Sequence, residues 1–363
     1  MNHAYAPALG LSTGAVSVPE GRVMPIEVEI LNSIEQMDET EYRVFHHASG
    51  ASFFYDWRFL CAAERSPLLA IKGAFYLLAR EDGRLVGFVP AYLQLVQTVD
   101  PFGLLARTAG IQSDRDQCAL FSHAMHCFDS GVIVLRGRAA EDALVAALKV
   151  LAASLDAQYV GLLNVASDHA RQQLAEQGLA VRYLVDRYFM DMARFEDFDA
   201  VIKALPKDGR YEMTRQLRKF AAGSGGISLL SPPFDQRLEQ LTELCQQTTA
   251  RNGTPQYFPA QTLARFVRTC EGLIRLVVVE DQGVVVGGLI CFLDGTLMCI
   301  WSAGMRYDLT DYSPYTVSFA YAYEWALGAG IDTIEAGRLN ARIKTRLGLQ
   351  PLPLYSATSV VAV

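Results

Sequence analysis

The sequence predicts an α/β protein built from two copies of one mixed domain, each a twisted, mostly antiparallel sheet flanked by helices. Residues 78–88 align without a gap with residues 278–288, at an offset of 200. Each copy holds a hydrophobic strand, an acidic turn closed by glycine (Gly83, Gly283) and a second strand with a glycine inside it (Gly87, Gly287). A glycine within a strand marks a bulge or a close approach of another chain. Residues 151–165 likewise resemble residues 323–337, each the end of an amphipathic helix, a short loop and a buried strand. The 363 residues suffice for two domains of ~100–200 residues.

The elements follow in order. Residues 1–25 carry one arginine, no apolar block and several Gly, Pro and Ser, which reads as a flexible tail rather than a signal peptide. The first domain spans 26–194. Its segment 53–60 precedes the first hairpin as 257–263 precedes the second. A helix over 142–155, a buried strand and a last strand set ending at 188–192 close it. The second domain spans 195–363. It opens with a helical segment over 195–205 and a basic run, Lys203, Lys207, Arg210, Arg215, Arg218 and Lys219. Arg215, Arg218 and Lys219 fall on one helix face, and the glycines of 223–226 stop that helix. A strand at 227–230 and a helix over 235–251 follow, with Leu238, Leu241, Leu244 and Cys245 at helical spacing. The second hairpin, a strand at 298–304, a helix over 316–327 and a strand over 333–337 complete the repeat.

Composition excludes some roles. The net charge of −7 offers no global attraction to nucleic acid or anionic membranes. No apolar run reaches the ~18–20 residues of a membrane helix. Seven scattered cysteines without a CxxC pair read as reduced, buried thiols of a cytoplasmic protein. His123, His126 and Cys127 lack a second ligand cluster and read as structural, so no metal is expected.

The duplication, the order of elements and the junction at 188–226 resemble the tandem acyltransferases of the GNAT superfamily, in particular the Fem-type branch. Its members join two GNAT domains through a strand, a helix, an Arg/Lys-rich helix, glycine and a strand. They also end on a strand with a short acidic/Gly motif, then aromatic-Lys-x-x-aromatic-Gly. Here those places hold Ile334-Glu335-Ala336-Gly337 and Ile343-Lys344-Thr345-Arg346-Leu347-Gly348, with aliphatic residues in place of the aromatics. The resemblance covers residues 40–360. It implies an acyl or aminoacyl transferase that forms an amide on a small-molecule or cell-wall-precursor amine, and a substrate-contacting lysine at Lys344.

Acyl transfer to an amine passes through a tetrahedral oxyanion that requires a cation or aligned amides. Lys344 supplies that cation. Arg338, just after the strand, suits a phosphate or carboxylate. Glu335, inside an apolar strand, is either a base with a raised pKa or the ion partner of Arg338. Trp301, on the central strand, heads the acceptor pocket, with Tyr257, Tyr315 and Arg215 as further substrate contacts. The loop 304–315 lacks the glycine pattern that holds a CoA pyrophosphate at a helix N-terminus and carries two aspartates instead. That disfavours acyl-CoA and fits aminoacyl-tRNA, the donor the resemblance implies, with Lys207, Arg210, Arg218 and Lys219 on the RNA backbone. The donor is a co-substrate, and no cofactor is expected. An acyl-CoA or acyl-carrier-protein donor, and a non-catalytic ligand-binding tandem protein, remain the alternatives.

Overall fold

The computed structural model describes residues 25–112, 116–255, 257–308 and 310–361. The segment read as an N-terminal tail therefore lies almost wholly outside the described residues. The first half runs β1 (Glu27–Leu31), α1 (Glu39–Ser49), α2 (Trp57–Arg65), β2 (Gly73–Glu81), β3 (Arg84–Leu95), the short α3 (Val96–Val99) and α4 (Leu104–Thr108), β4 (Cys118–Ser122), β5 (Ile133–Val134), α5 (Arg138–Ser154), β6 (Tyr159–Val165), α6 (Asp168–Glu176) and β7 (Ala180–Asp191). Two helices, α7 (Phe198–Ala204) and α8 (Lys207–Ala222), lead into the second half. It comprises β8 (Gly226–Leu230), α9 (Arg237–Arg251), α10 (Ala260–Thr269), β9 (Ile274–Asp281), β10 (Val284–Asp294), β11 (Leu297–Met305), α11 (Pro314–Gly328), β12 (Thr333–Arg338), α12 (Ala341–Arg346) and β13 (Gln350–Val360).

The repeat holds down to single residues. Both hairpins turn through two residues of positive φ, Asp82-Gly83 and Gln282-Gly283, the conformation that matches the twist of a tight hairpin and favours glycine. Both carry a register shift two residues later, so that Val86 and Val286 are the extra residues of a bulge. The strand glycines admit a helix. A Cβ on Gly87 would meet Leu144 of α5, and one on Gly287 would meet Pro314 of α11.

The halves are not separate in space. One sheet runs β1-β2-β3-β4-β6-β13-β7-β12-β11-β10-β9-β8, with β5 beside β3. Among the described residues only β4–β6 and β11–β12 pair in parallel. Each half gives its last strand to the other: β13 lies against β6, and β7 lies against β12. A division of the sequence between residues 194 and 195 thus assigns each half a closing strand whose outer neighbour belongs to the other half.

The core explains the fusion. On one sheet face α1 and α2 meet α9 and α10 in a single apolar cluster. Phe53 stacks on Phe292 with ring centroids 4.6 Å apart, and Phe59 packs edge-on against Phe266 at 5.2 Å. On the opposite face α5 covers the first half, and α11 with α7 and α8 covers the second. Among the described residues no helix is long and apolar enough to cross a membrane.

Helix α8 approaches α12 so closely that a Cβ on Gly209 would run into the carbonyl oxygen of Arg346. We expect Gly209→Ala to destabilise the protein by about 1–3 kcal/mol, as overpacking does. At Gly226 a Cβ would meet nothing, and Gly226→Ala should stay within about 0.5 kcal/mol. Thermal unfolding of the two variants checks the contrast.

Candidate active site at the parting of two strands

Strands β11 and β12 pair only over Leu297–Cys299 and Thr333–Glu335. Beyond this they separate, and a cavity of about 440 Å³ opens between Ile300–Ala303 and Ala336–Arg338. The parting has a local cause. Gly337, Leu339 and Asn340 all have positive φ (61°, 63° and 55°), and the chain turns sharply out of β12 into α12. That turn carries Lys344 back over the cavity.

Five of the residues singled out in the sequence meet here. Trp301, Arg338, Lys344 and Tyr257 line the cavity, and Tyr315 forms its wall toward a second cavity. Glu335 does not reach it. Its carboxylate is buried beside Arg187 of β7, Oε1 lying 2.9 Å from Nη1. The ion partner is therefore Arg187 and not Arg338, because β12 turns successive side chains to opposite sheet faces. Burial, only partly opposed by Arg187, raises the Glu335 pKa to about 7. Arg215 is also absent from the lining: it forks onto Glu212 on α8, with nitrogen–oxygen contacts from 2.8 Å.

Lys344 is buried, not a surface charge. Nζ donates to the Arg338 carbonyl at 2.5 Å and lies 5.4 Å from the centre of the Tyr188 ring. Burial first, and the neighbouring Arg338 charge second, lower its pKa to about 7. Arg338 itself is 9 % exposed. It donates to Asn164 Oδ1 at 3.1 Å and to Met125 Sδ at 2.9 Å, and its guanidinium lies 5.2 Å from the centre of the Phe128 ring. Its Nε has no partner.

Asn164, Met125 and Phe128 at Arg338, and Tyr188 at Lys344, all come from the first half. Asn164, at φ 57° in β6, donates to the carbonyls of Met125 and Cys127 at 3.1 and 2.7 Å. It thereby fixes the buried loop between β4 and β5. The same loop accepts the Trp301 indole N–H at the His126 carbonyl, 3.0 Å away. His123 and His126 sit in apolar packing that lowers both pKa values to about 3. They are neutral core groups. Sequence reading missed Asn164, Phe128 and Arg187. An asparagine inside the apolar run 159–165 was the available signal.

The second cavity, about 370 Å³, shares Asn252, Tyr315 and Asn340 with the first. Gly209, Glu212 and Met213 of α8 form one of its walls, and the start of α11 forms another. Part of the α11 N-terminus is already engaged. Thr316 N–H donates to Ser313 Oγ at 3.3 Å and Ser313 N–H donates to Gln216 Oε1 at 2.8 Å, while Pro314 has no N–H to offer. Lys219 is tied to the Asp311 carbonyl at 2.7 Å. Lys207, Arg210 and Arg218 remain exposed on α8.

Residues 207–345 match the sequence model of the acetyltransferase (GNAT) domain family. Among solved structures, the chain superposes on FemX with a TM-score of 0.58 and 11% identity, over 90% of this chain and 96% of that one. A tandem GNAT protein from the clavulanic acid biosynthesis pathway gives 0.54 and 11%, over 93% and 99%. L-PGS from Bacillus licheniformis gives 0.54 and 10%, over 88% and 91%. No curated protein matches in sequence. The fold is thus that of Fem-like tandem GNAT proteins. Residues 207–345 carry the sequence pattern of a GNAT acetyltransferase domain.

Asn164→Ala leaves two buried carbonyls and Arg338 short of partners, each costing about 1–3 kcal/mol, and puts alanine at positive φ. Asn164→Gly removes the same bonds without that backbone strain. We expect thermal midpoints to fall in the order parent, Asn164→Gly, Asn164→Ala; equal midpoints for all three would contradict the assigned contacts.

Proposed function

We propose that the protein transfers an aminoacyl group from a charged tRNA to an amine, forming an amide in the cavity between β11 and β12. The observation that carries the choice of donor is the state of the α11 N-terminus. In an anion cradle these amides point at phosphate oxygens. Here a side-chain hydroxyl and a glutamine side chain occupy them, and proline removes a third. Helix α8 supports the same reading. Its inner side walls the outer cavity, and its outer side presents Lys207, Arg210 and Arg218 to solvent. An RNA backbone on that face would place an aminoacylated 3′ end at the cavity mouth. A tRNA-dependent reaction belongs in the cytoplasm.

The chemistry follows from Lys344. As the acceptor nitrogen bonds to the ester carbonyl carbon, its proton must leave, and a base with a pKa near the working pH takes it best. Lys344 near 7 meets that need. Once protonated it is the cation beside the newly formed oxyanion. When the carbon–oxygen bond to the ribose breaks, the same proton goes to the departing oxygen.

Purified protein given a charged tRNA and an amine should deacylate that tRNA with amide formation. Turnover of acyl-CoA instead would overturn the choice of donor. Changing Lys207, Arg210 and Arg218 to alanine should weaken tRNA binding and flatten its salt dependence, read by binding titrations at several salt concentrations.

A second expectation concerns pH. Neutral Lys344 is the active form, so kcat/KM should rise with pH through about 7 and then level off. Lys344→Met should lower turnover by ~10²–10³ and abolish the rise. A rate that falls as pH passes 7 would assign Lys344 a purely cationic role.

A further inference from the structure

The splay cavity holds a positive charge that the protein does not neutralise. Arg338 is nine-tenths buried, yet its side-chain partners are an amide oxygen, a thioether, the Tyr257 hydroxyl and an aromatic face, none of them a carboxylate. Its Nε is unpartnered. Among the described residues no Asp or Glu forms an ion pair with it, and none lines the cavity. The nearest carboxylate in sequence, Glu335, is turned away onto Arg187. Taking an unpaired ion out of water costs several kcal/mol. A protein keeps such a group where a ligand of opposite charge completes it.

The rest of the wall narrows the choice. Phe102, Phe128, Tyr257, Phe258 and Trp301 line the cavity with Arg338. Phe258 and Trp301 lie 5.2 Å apart between ring centroids, and Tyr257 and Phe258 lie 4.3 Å apart, spacings at which rings pack favourably. With Lys344 driven toward its neutral form by burial and then by Arg338, the cavity offers one fixed charge among apolar rings. One planar guanidinium matches one carboxylate, held by two parallel hydrogen bonds. It is a poor match for a pyrophosphate, and the apolar wall is a poor match for an amino sugar or a polyamine.

We propose that this cavity binds the acceptor, and that the acceptor is an α-amino acid, or the end of a peptide, whose carboxylate sits on Arg338 and whose aromatic or bulky apolar side chain packs against Trp301 and Phe128. The amine of such a molecule lies one carbon from the carboxylate and so falls near Lys344. The proposal rests on the transferase reading for its name of acceptor, but its binding chemistry does not depend on the donor.

Calorimetric titration of the full chain, with no donor present, tests it. The probes are L-phenylalanine, L-phenylalaninamide, phenethylamine, L-alanine and inorganic phosphate. L-phenylalanine should bind. The amide and phenethylamine, which lack the carboxylate, should bind at least about tenfold more weakly, because the guanidinium is left unpaired. L-alanine should also be weaker for want of ring contacts, and phosphate should not displace L-phenylalanine. Arg338→Gln should remove the preference for the acid over the amide. The ligand series on the parent protein decides the matter even if that variant fails to fold. Equal affinity for acid and amide, absence of L-phenylalanine binding, or displacement by phosphate would overturn the proposal. A failure with charged tRNA alone would overturn the donor and leave this result standing.

Discussion

The exchange of closing strands is the constraint on which the rest of the molecule depends. Because β7 crosses to pair with β12, Arg187 and Tyr188 lie beneath the site of the second half. Because β13 crosses to pair with β6, the strand bearing Asn164 is locked beside the same site. Without the exchange the parting of β11 and β12 would open onto solvent. With it, the parting becomes a cavity whose walls come from both halves. The shared apolar core of α1, α2, α9 and α10 then fixes the angle between them.

The cavity also shows how burial sets protonation. Three ionisable groups lie within a short stretch of chain, and each is treated differently. Glu335 faces Arg187 and is still pushed upward by desolvation. Lys344 is pushed downward by desolvation and by a like charge. Arg338 keeps its charge, since a guanidinium does not give up its proton near neutral pH. The outcome is one permanent cation beside one amine that can accept or release a proton. Two lysines, or two arginines, would lack that division.

Much of this was legible in the sequence. The gapless repeat fixed the two hairpins, including the glycines that admit α5 and α11, because a strand glycine under a helix leaves a trace that survives duplication. The motif of 334–348, taken from the family resemblance, marked the stretch of chain that brings Arg338 and Lys344 to the cavity. What stayed hidden depends on contacts across the repeat. Arg187 and Asn164 lie in strands whose partners are set by the exchange, and no local pattern announces an exchange. The burial of Lys344 was also hidden, since a lysine in a polar segment reads as solvated until the turn through Gly337, Leu339 and Asn340 is known to fold it inward. Arg215 shows the reverse error. A basic residue on a helix face suggests a ligand, but a glutamate one turn away is enough to satisfy it.

The position of β13 bears on how the chain comes to be folded during synthesis. Domains ordinarily form in order as they leave the ribosome. Here the first half cannot complete its sheet in that way, because the strand that belongs between β6 and β7 is among the last to be made. Until it arrives, the edges of β6 and β7 stay unpaired, and such edges recruit foreign strands. The nascent first half is thus an open template while the second half is made, and pairing so distant in sequence is slow to form. The same crossing that builds the cavity makes the chain dependent on protection, by a chaperone or by prompt completion, while it is being born.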